Sequence, residues 1–189
     1  CGPQADEVDF PERVTELAAK WGLPILADPL SQLRNGSHRK TMIIETYDAI
    51  LKNEEIRKRF KPDFIIRFGA MPVSKAYLFY IKENADIPQF IVENHSGYRE
   101  PTGNVTDFVF ADPGEFCSGL LALDAPVFSE QWLEDWQKMN RIAKNHLSLQ
   151  TEEQITEGGA IRALQEVIPE NTTLYVGNSM AVRDVDTFF

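Results

Sequence analysis

A chain of 189 residues can bury one large apolar core or two small ones. Its 43% hydrophobic and 25% charged residues are ordinary for a soluble globular protein. A formal net charge of −10 argues against a general nucleic-acid binder, and no apolar run approaches the roughly 20 residues that cross a bilayer. Because the chain begins at Cys1 rather than methionine, we expect an upstream segment in the natural protein.

The first part of the chain alternates helical and extended apolar patterns. Apolar residues recur at helical spacing after Pro11, which suits a first helical turn, until Gly22 ends the pattern. In chain order we predict a helix at 10–21, a strand at 24–27, a polar loop at 28–40, a helical stretch at 41–60, a strand at 64–68 and a helix at 74–84.

The second part continues the alternation. Thr151 and Gln154 form a capping-box pattern that opens a helix, although Gly158-Gly159 would weaken its middle. We predict strands at 89–92 and 108–111, helices at 115–123 and 129–147, the helix from Thr151, and a last strand at 174–176.

Short apolar strands that alternate with helices are typical of a parallel sheet covered on both faces. The sequence therefore predicts an α/β fold: a three-layer, Rossmann-like domain with a mostly parallel sheet between helices. Residues 1–189 are expected to form a single domain, since no repeat or long linker divides them. No GxGxxG turn follows any predicted strand, so the dinucleotide fingerprint is absent.

Cysteine and histidine are too sparse to indicate a site. Cys1 and Cys117 have no metal-type spacing and are interpreted as idle thiols in a reducing cytoplasm. His38, His95 and His146 lie far apart, so the sequence predicts no metal site.

Two other features are interpreted without a catalytic role. Ser179 in GNSMA lacks the second glycine of a hydrolase elbow, so it suits hydrogen bonding to a ligand better than nucleophilic attack. Trp132 and Trp136 are predicted to lie in the core rather than on a stacking surface.

Basic residues follow several predicted strands. Ligands of open parallel sheets bind outside the carboxyl ends of the strands, and Arg34, Lys75, Arg99 and Arg183 all come soon after one. Lys75 also opens a predicted helix, where backbone N–H groups favour an anion. Two carboxylates on one ligand would explain this convergence. The alternative is that these are separate surface charges balanced by the abundant acids.

Three stretches carry a resemblance to a known family: ILADPLSQLRNG, RFGAMPVSKA and LYVGNSMAVRD. Together they resemble the central domain of the 2-succinyl-5-enolpyruvyl-6-hydroxy-3-cyclohexene-1-carboxylate synthases of menaquinone biosynthesis, the MenD family, in the form found in Firmicutes. The likeness covers essentially the whole chain, and the terminal stretch is the most specific.

The resemblance implies a three-domain, thiamine-diphosphate- and Mg²⁺-dependent transferase in the cytoplasm, itself a homo-oligomer. Such an enzyme decarboxylates 2-oxoglutarate and adds the succinyl unit to isochorismate. Its flanking domains hold the cofactor, and the GDG…NN signature that binds Mg²⁺ and diphosphate is nowhere in this sequence. No catalytic, cofactor-binding or metal-binding residue is therefore expected in these 189 residues, and the isolated domain should be inactive.

The resemblance also implies substrate-binding residues. Ser179 and Arg183, with Asn178 of the same segment, should line the isochorismate side of the active site, and Lys75 matches a family position that points there.

At two positions the chain departs from the family pattern, and two arginines have no assigned role. Ala76 stands where some relatives have an arginine, and Ala181 where many have a proline. Arg34 and Arg99 lie in family-like loops and are weaker candidates for substrate contact.

Two other functions remain open from the residues alone. One is a regulatory module that senses an aromatic or polycarboxylic acid at the same basic edge. The other is a nucleotide-binding domain of the Rossmann-like type, which the missing glycine-rich turn disfavours.

Overall fold

The structure is a computed structural model that describes residues 1–3, 9–94, 97–104, 106–125, 129–149 and 156–189. Its helices are α1 (Phe10–Trp21), α2 (Tyr47–Leu51), α3 (Glu54–Arg59), α4 (Lys75–Glu83), α5 (Pro113–Leu121), α6 (Glu130–Ser148), α7 (Glu157–Val167) and α8 (Met180–Phe188). Its strands are β1 (Ile25–Leu26), β2 (Ile43–Ile44), β3 (Ile65–Phe68), β4 (Gln89–Glu93) and β5 (Asp107–Phe110), and a 3-10 turn spans Pro29–Ser31. None of these helices is long and apolar enough to cross a membrane.

The strands form two parallel sheets that residues 1–3 connect. β1 pairs with β2, and β4 lies between β3 and β5. The Cys1 amino nitrogen donates to the Leu26 carbonyl at 2.7 Å, and the Gly2 N–H donates to the Phe68 carbonyl at 3.0 Å. Main-chain hydrogen bonds thus run from β1 through residues 1–3 to β3, and the two sheets form one layer.

A close approach of two main-chain segments requires glycine at position 2. A Cβ on Gly2 would lie 1.7 Å from the Ala70 carbonyl oxygen, well inside van der Waals contact. Gly2 therefore allows residues 1–3 to enter the space between β1 and β3.

Helices cover both faces of this layer. α1 and α5 pack on one face in a core that includes Phe10, Leu17 and Phe68. On the other face α2, α4 and α6 surround Tyr77 and Trp136, and each large side chain buried there contributes about 1.5–3 kcal/mol. The three-layer α/β architecture predicted from the sequence is confirmed.

Several elements lie where their local signals placed them. α1 begins at Phe10 and ends at Gly22, which adopts the left-handed conformation at φ +66°. Trp136 is 1% exposed, with its ring centroid 4.8 Å from that of Phe60, and Trp132 packs against the same cluster. The predicted core role of both tryptophans is confirmed.

The helical prediction for residues 41–60 was wrong at its start. Ile43 and Ile44 form β2, parallel to β1, and helix begins only at Tyr47. Ile43 belongs to the core on one face of the sheet and Ile44 to the core on the other. Consecutive β-branched residues buried on opposite sides suit a strand, and helical spacing cannot provide that arrangement.

The carboxyl-terminal predictions also need correction. Residues 174–176 form no strand in the described part of the chain, and Tyr175 is 96% exposed. Thr151 and Gln154 lie outside the described residues; α7 begins after Thr156, and its two glycines fall in the first turn rather than the middle. α8 was not predicted at all.

Two helical glycines offer a matched test of these packing assignments. A Cβ on Gly119 in α5 would meet no atom within 4 Å, whereas one on Gly158 in α7 would lie 2.9 Å from the Phe188 ring. Gly119→Ala should raise the free energy of unfolding by about 0.5–1 kcal/mol through helix propensity. Gly158→Ala should gain less than Gly119→Ala or lose stability, because the Phe188 ring must move away from α7. Urea denaturation measures both, and equal gains would contradict the α7–α8 contact.

Candidate functional site

Lys75 lies at the amino end of α4, as its sequence position predicted. Ser74 caps this helix: its Oγ accepts a hydrogen bond from the Tyr77 N–H at 3.0 Å and donates to Asp48 Oδ1 at 2.6 Å. Lys75 itself is exposed, and its Nζ lies 5.5 Å from the centroid of the Phe79 ring. The helix end is therefore held rigidly while the ammonium group remains accessible.

Residues 177–179 turn the chain into α8. Ser179 is the N-cap residue at φ +73° and ψ −126°, a conformation that L-residues rarely adopt, and its side chain makes no capping hydrogen bond. Gly177, Asn178 and Ser179 are all exposed. The first N–H groups of a helix have no intrahelical acceptor and attract anions, and the exposed Arg183 lies one turn into this helix.

Ser179→Gly should raise the free energy of unfolding by about 1 kcal/mol. A non-glycine residue held at such a positive φ costs on the order of 1–3 kcal/mol, and glycine removes that strain at some entropic cost. Ser179→Ala is the control, because it removes the hydroxyl and keeps the strain. Chemical denaturation measures the free energy of unfolding of both variants. A glycine variant less stable than the alanine variant would contradict the strain at Ser179.

Lys75 and Arg183 line one cavity of about 470 Å³. α2, α3 and α4 supply one part of its wall, and α8 supplies the rest. The lining residues are Asp48, Lys52, Glu54, Arg57, Lys75, Ala76, Phe79, Met180, Arg183, Asp184, Thr187 and Phe188.

Two of the four cations in this wall are paired within the protein. Lys52 Nζ lies 2.7 Å from Asp48 Oδ2. The Arg57 guanidinium binds Glu83 through two hydrogen bonds, at 2.8 and 2.9 Å. These pairs neutralise Lys52 and Arg57, so neither is the first choice for an external anion.

The other two cations are available to a ligand. Lys75 and Arg183 form no hydrogen bond or ion pair with any residue that the structure describes. The Lys75 ammonium group does lie over the Phe79 ring. Of the three acids in this wall, Asp48 pairs with Lys52 and Glu54 pairs with Lys58 at 2.8 Å. Asp184 is not neutralised by any described cation. Two accessible cations on facing elements complement a ligand with two carboxylates.

Asn178 and Ser179 lie beside the cavity in the chain but not in its wall. They precede Met180, which does line it, and both side chains are exposed. Their predicted contact with substrate is compatible with this position and stays a prediction.

Arg34 lies outside the cavity, in an internal ion pair. Its guanidinium donates to the Ala27 carbonyl at 2.8 Å, to the Asp186 carbonyl at 3.0 Å and to the Asp186 carboxylate. The side chain is only 5% exposed. The structure thus does not bring Arg34 to the cavity; it connects the loop after β1 to α8.

Arg99 is also separate from the cavity. Its Nε donates to Glu93 Oε2 at 2.8 Å, and its carbonyl accepts a hydrogen bond from Arg67 at 2.6 Å. These contacts place it over β3 and β4, while His95 lies outside the described residues. Of the four cations that were predicted to follow strands, the structure brings together Lys75 and Arg183, although residues 174–176 before Arg183 form no strand.

Burial perturbs the acid that pairs with Arg34. Desolvation raises the pKa of Asp186 to about 7; Arg34 opposes the rise, and the neighbouring Asp28 and Asp48 add to it. Tyr47 donates a hydrogen bond to Asp186 Oδ2 at 3.0 Å, and burial raises the pKa of this phenol. Asp186 therefore titrates near neutrality.

The lining residues that were not predicted from the sequence include Asp48, Lys52, Arg57 and Phe79. The one usable signal was Asp48, an acidic residue inside the apolar run YDAIL, because a charge in such a run is seldom buried without a partner. The others follow no strand and belong to no motif.

Comparison with known proteins agrees with this architecture. Residues 6–176 match a family model described as the middle domain of thiamine pyrophosphate enzymes. Ser179 and Arg183 lie just beyond the matched range.

Curated relatives cover the whole chain. Proteins named 2-succinyl-5-enolpyruvyl-6-hydroxy-3-cyclohexene-1-carboxylate synthase are 57% identical over 192 residues in Oceanobacillus iheyensis, 46% over 191 in Geobacillus thermodenitrificans and 40% over 190 in Bacillus velezensis. The chain spans about a third of their length (33%, 32% and 33%). The resemblance to Firmicute synthases is confirmed, and the chain belongs to the middle-domain family of thiamine pyrophosphate enzymes.

Proposed function

We propose that this chain is the central domain of a thiamine-diphosphate-dependent synthase that decarboxylates 2-oxoglutarate and adds the succinyl unit to isochorismate. In this proposal the domain supplies the cations that hold isochorismate, while flanking domains of the longer protein carry out the decarboxylation. The relatives' shared name and the family model support the reaction class.

The observation that carries the proposal is the cavity that Lys75 and Arg183 share. Isochorismate has two carboxylates, and a charge-assisted hydrogen bond to each is stronger than a neutral one. The amino ends of α4 and α8 add backbone N–H groups beside these two side chains. Asn178 and Ser179, in the turn before α8, are proposed to contact the same substrate.

In this proposal Mg²⁺ and thiamine diphosphate are held by the flanking domains. In the described part of this chain, no three histidine, cysteine, aspartate or glutamate side chains are grouped so as to hold Mg²⁺. The described residues contribute only to the binding and orientation of the substrate.

Arg183→Ala in the full-length synthase should raise the KM for isochorismate about 30–100-fold. Losing a charge-assisted bidentate contact costs about 2–3 kcal/mol, whereas the KM for 2-oxoglutarate should change less than about twofold. Arg13→Ala is the matched control, because Arg13 lies on α1 at the opposite face of the sheet. Steady-state kinetics with both substrates would remove Arg183 from the site if its variant behaved like the control.

The sensing-module alternative uses the same cavity and is separated by direct titration. A partial active site should bind isochorismate weakly in the isolated domain, which should also release no CO₂ from 2-oxoglutarate. Sub-micromolar binding of an aromatic acid to the isolated domain would instead favour a sensor.

The proposal also carries the remaining expectations of the family. The partners are the flanking domains of the same chain and further copies of the full-length protein, and the location is the cytoplasm. Cys1 and Cys117 are both free thiols.

A further inference from the structure

We propose that Asp48 is a positioning residue that sets the spacing between Lys75 and Arg183, and thereby the fit of the cavity to the two carboxylates of isochorismate. This inference rests on the proposed function of the cavity. Asp48 lies in α2, and its side chain is only 9% exposed. Its two carboxylate oxygens bind the two helices that carry the accessible cations.

One oxygen of Asp48 holds α4. Oδ1 accepts the hydroxyl hydrogen of Ser74 at 2.6 Å. Ser74 is the N-cap residue of α4, and Lys75 is the first residue of that helix. Asp48 thus fixes the main chain directly before the Lys75 ammonium group.

The other oxygen holds α8. Oδ2 accepts the hydroxyl hydrogen of Thr187 at 3.0 Å. Thr187 lies one turn after Arg183 on the same side of α8, and both residues line the cavity. A single buried carboxylate therefore connects the helix of Lys75 to the helix of Arg183.

A third contact of Asp48 allows its positioning role to be tested separately from the effect of its charge. Lys52 Nζ lies 2.7 Å from Oδ2 of Asp48, so this neighbouring cation compensates the negative charge of Asp48. Neutralising Asp48 while keeping its shape should free Lys52 without releasing either helix. Removing the side chain should release both helices.

This geometry predicts an effect on one substrate only. A ligand that spans Lys75 and Arg183 responds to their separation, and small errors of placement reduce binding and rate strongly. Asp48→Ala should therefore raise the KM for isochorismate about tenfold in the full-length synthase. The KM for 2-oxoglutarate, which this cavity does not hold, should stay within about twofold.

The experiment compares Asp48→Ala, Asp48→Asn and Thr187→Val by steady-state kinetics on the full-length synthase, with Arg183→Ala in the same series. Asparagine can still accept from Ser74 and can donate to Thr187, so it should restore the KM for isochorismate to within about threefold of the wild-type value. Thr187→Val removes only the connection to α8. It should raise the same KM without changing that for 2-oxoglutarate, and it serves if Asp48→Ala fails to fold.

Each other outcome overturns the inference. Equal KM values for isochorismate in Asp48→Asn and Asp48→Ala would assign the role to the charge that pairs with Lys52. A KM for isochorismate below the wild-type value would make Asp48 merely a repulsive charge. A parallel loss of activity toward both substrates, or no effect of Thr187→Val, would make the contacts simply structural. If Arg183→Ala is itself silent, the proposed function fails; if only the Asp48 and Thr187 variants are silent, the positioning role fails and the proposed function stands.

Discussion

Arg34→Met is expected to lower the free energy of unfolding by about 2–4 kcal/mol at pH 7, because buried acceptors lose their donor. Arg34 is the cation that opposes the rise in the pKa of Asp186, so without it this carboxyl, 1% exposed beside Arg34 at 5%, takes up a proton and loses its charge-assisted partner. The variant also loses the hydrogen bonds that the guanidinium donates to the carbonyl oxygens of Ala27 and Asp186, at 2.8 and 3.0 Å. Methionine replaces the aliphatic part of the side chain, so the loss reports mainly on the polar contacts.

Arg59→Met is the matched control. Arg59 pairs with Asp135 at 3.4 Å, but its side chain is 72% exposed, and such pairs contribute about 0–1 kcal/mol. Urea denaturation at pH 7 and pH 5 compares the two variants. The deficit of Arg34→Met should differ by less than about 1 kcal/mol between the two pH values, because Asp186 without Arg34 is protonated at both. A deficit as small as that of the control would show that α8 does not depend on Arg34.

The same arginine shows where sequence reasoning ended. Its place after a strand made it a candidate for substrate contact, by the same rule that selected Lys75 and Arg183. The rule uses only a place after a predicted strand, and before Arg183 that strand, 174–176, does not form. It also does not identify the partner of a side chain. Asp186 is 152 residues away in the chain, and no local pattern indicates that pair.

Local signals predicted what local physics determines. α1 has a proline in its first turn and a glycine just after its end, and the structure follows both. β2 and α8 were missed because longer-range packing decided them. Ile43 and Ile44 become a strand by pairing with β1, and α8 is fixed by Asp186 and Thr187, whose partners lie in α2 and the loop after β1.

Between about pH 4 and pH 7 the domain is expected to lose stability as the pH rises, through Asp186. Burial raises the pKa of this carboxyl from its ordinary 3.8 to about 7 in the folded protein, against the attraction of Arg34. In this interval the folded state binds more protons than the unfolded chain, so the free energy of unfolding falls with pH. Desolvation also raises the pKa of Asp28, which acts in the same direction.

Asp186→Asn isolates this contribution. The amide does not titrate; with its oxygen toward Arg34, its NH2 group can donate to the Tyr47 hydroxyl oxygen. The variant should therefore lack the part of the pH dependence that Asp186 causes. Each pKa unit corresponds to about 1.4 kcal/mol, and the difference in unfolding free energy between wild type and variant should therefore change by about 2–4 kcal/mol from pH 4 to pH 7. Urea denaturation at half-unit pH steps measures the difference. If it instead moved in favour of the wild type as the pH rises, Arg34 would hold Asp186 ionised throughout, and the ion pair would outweigh the cost of burial.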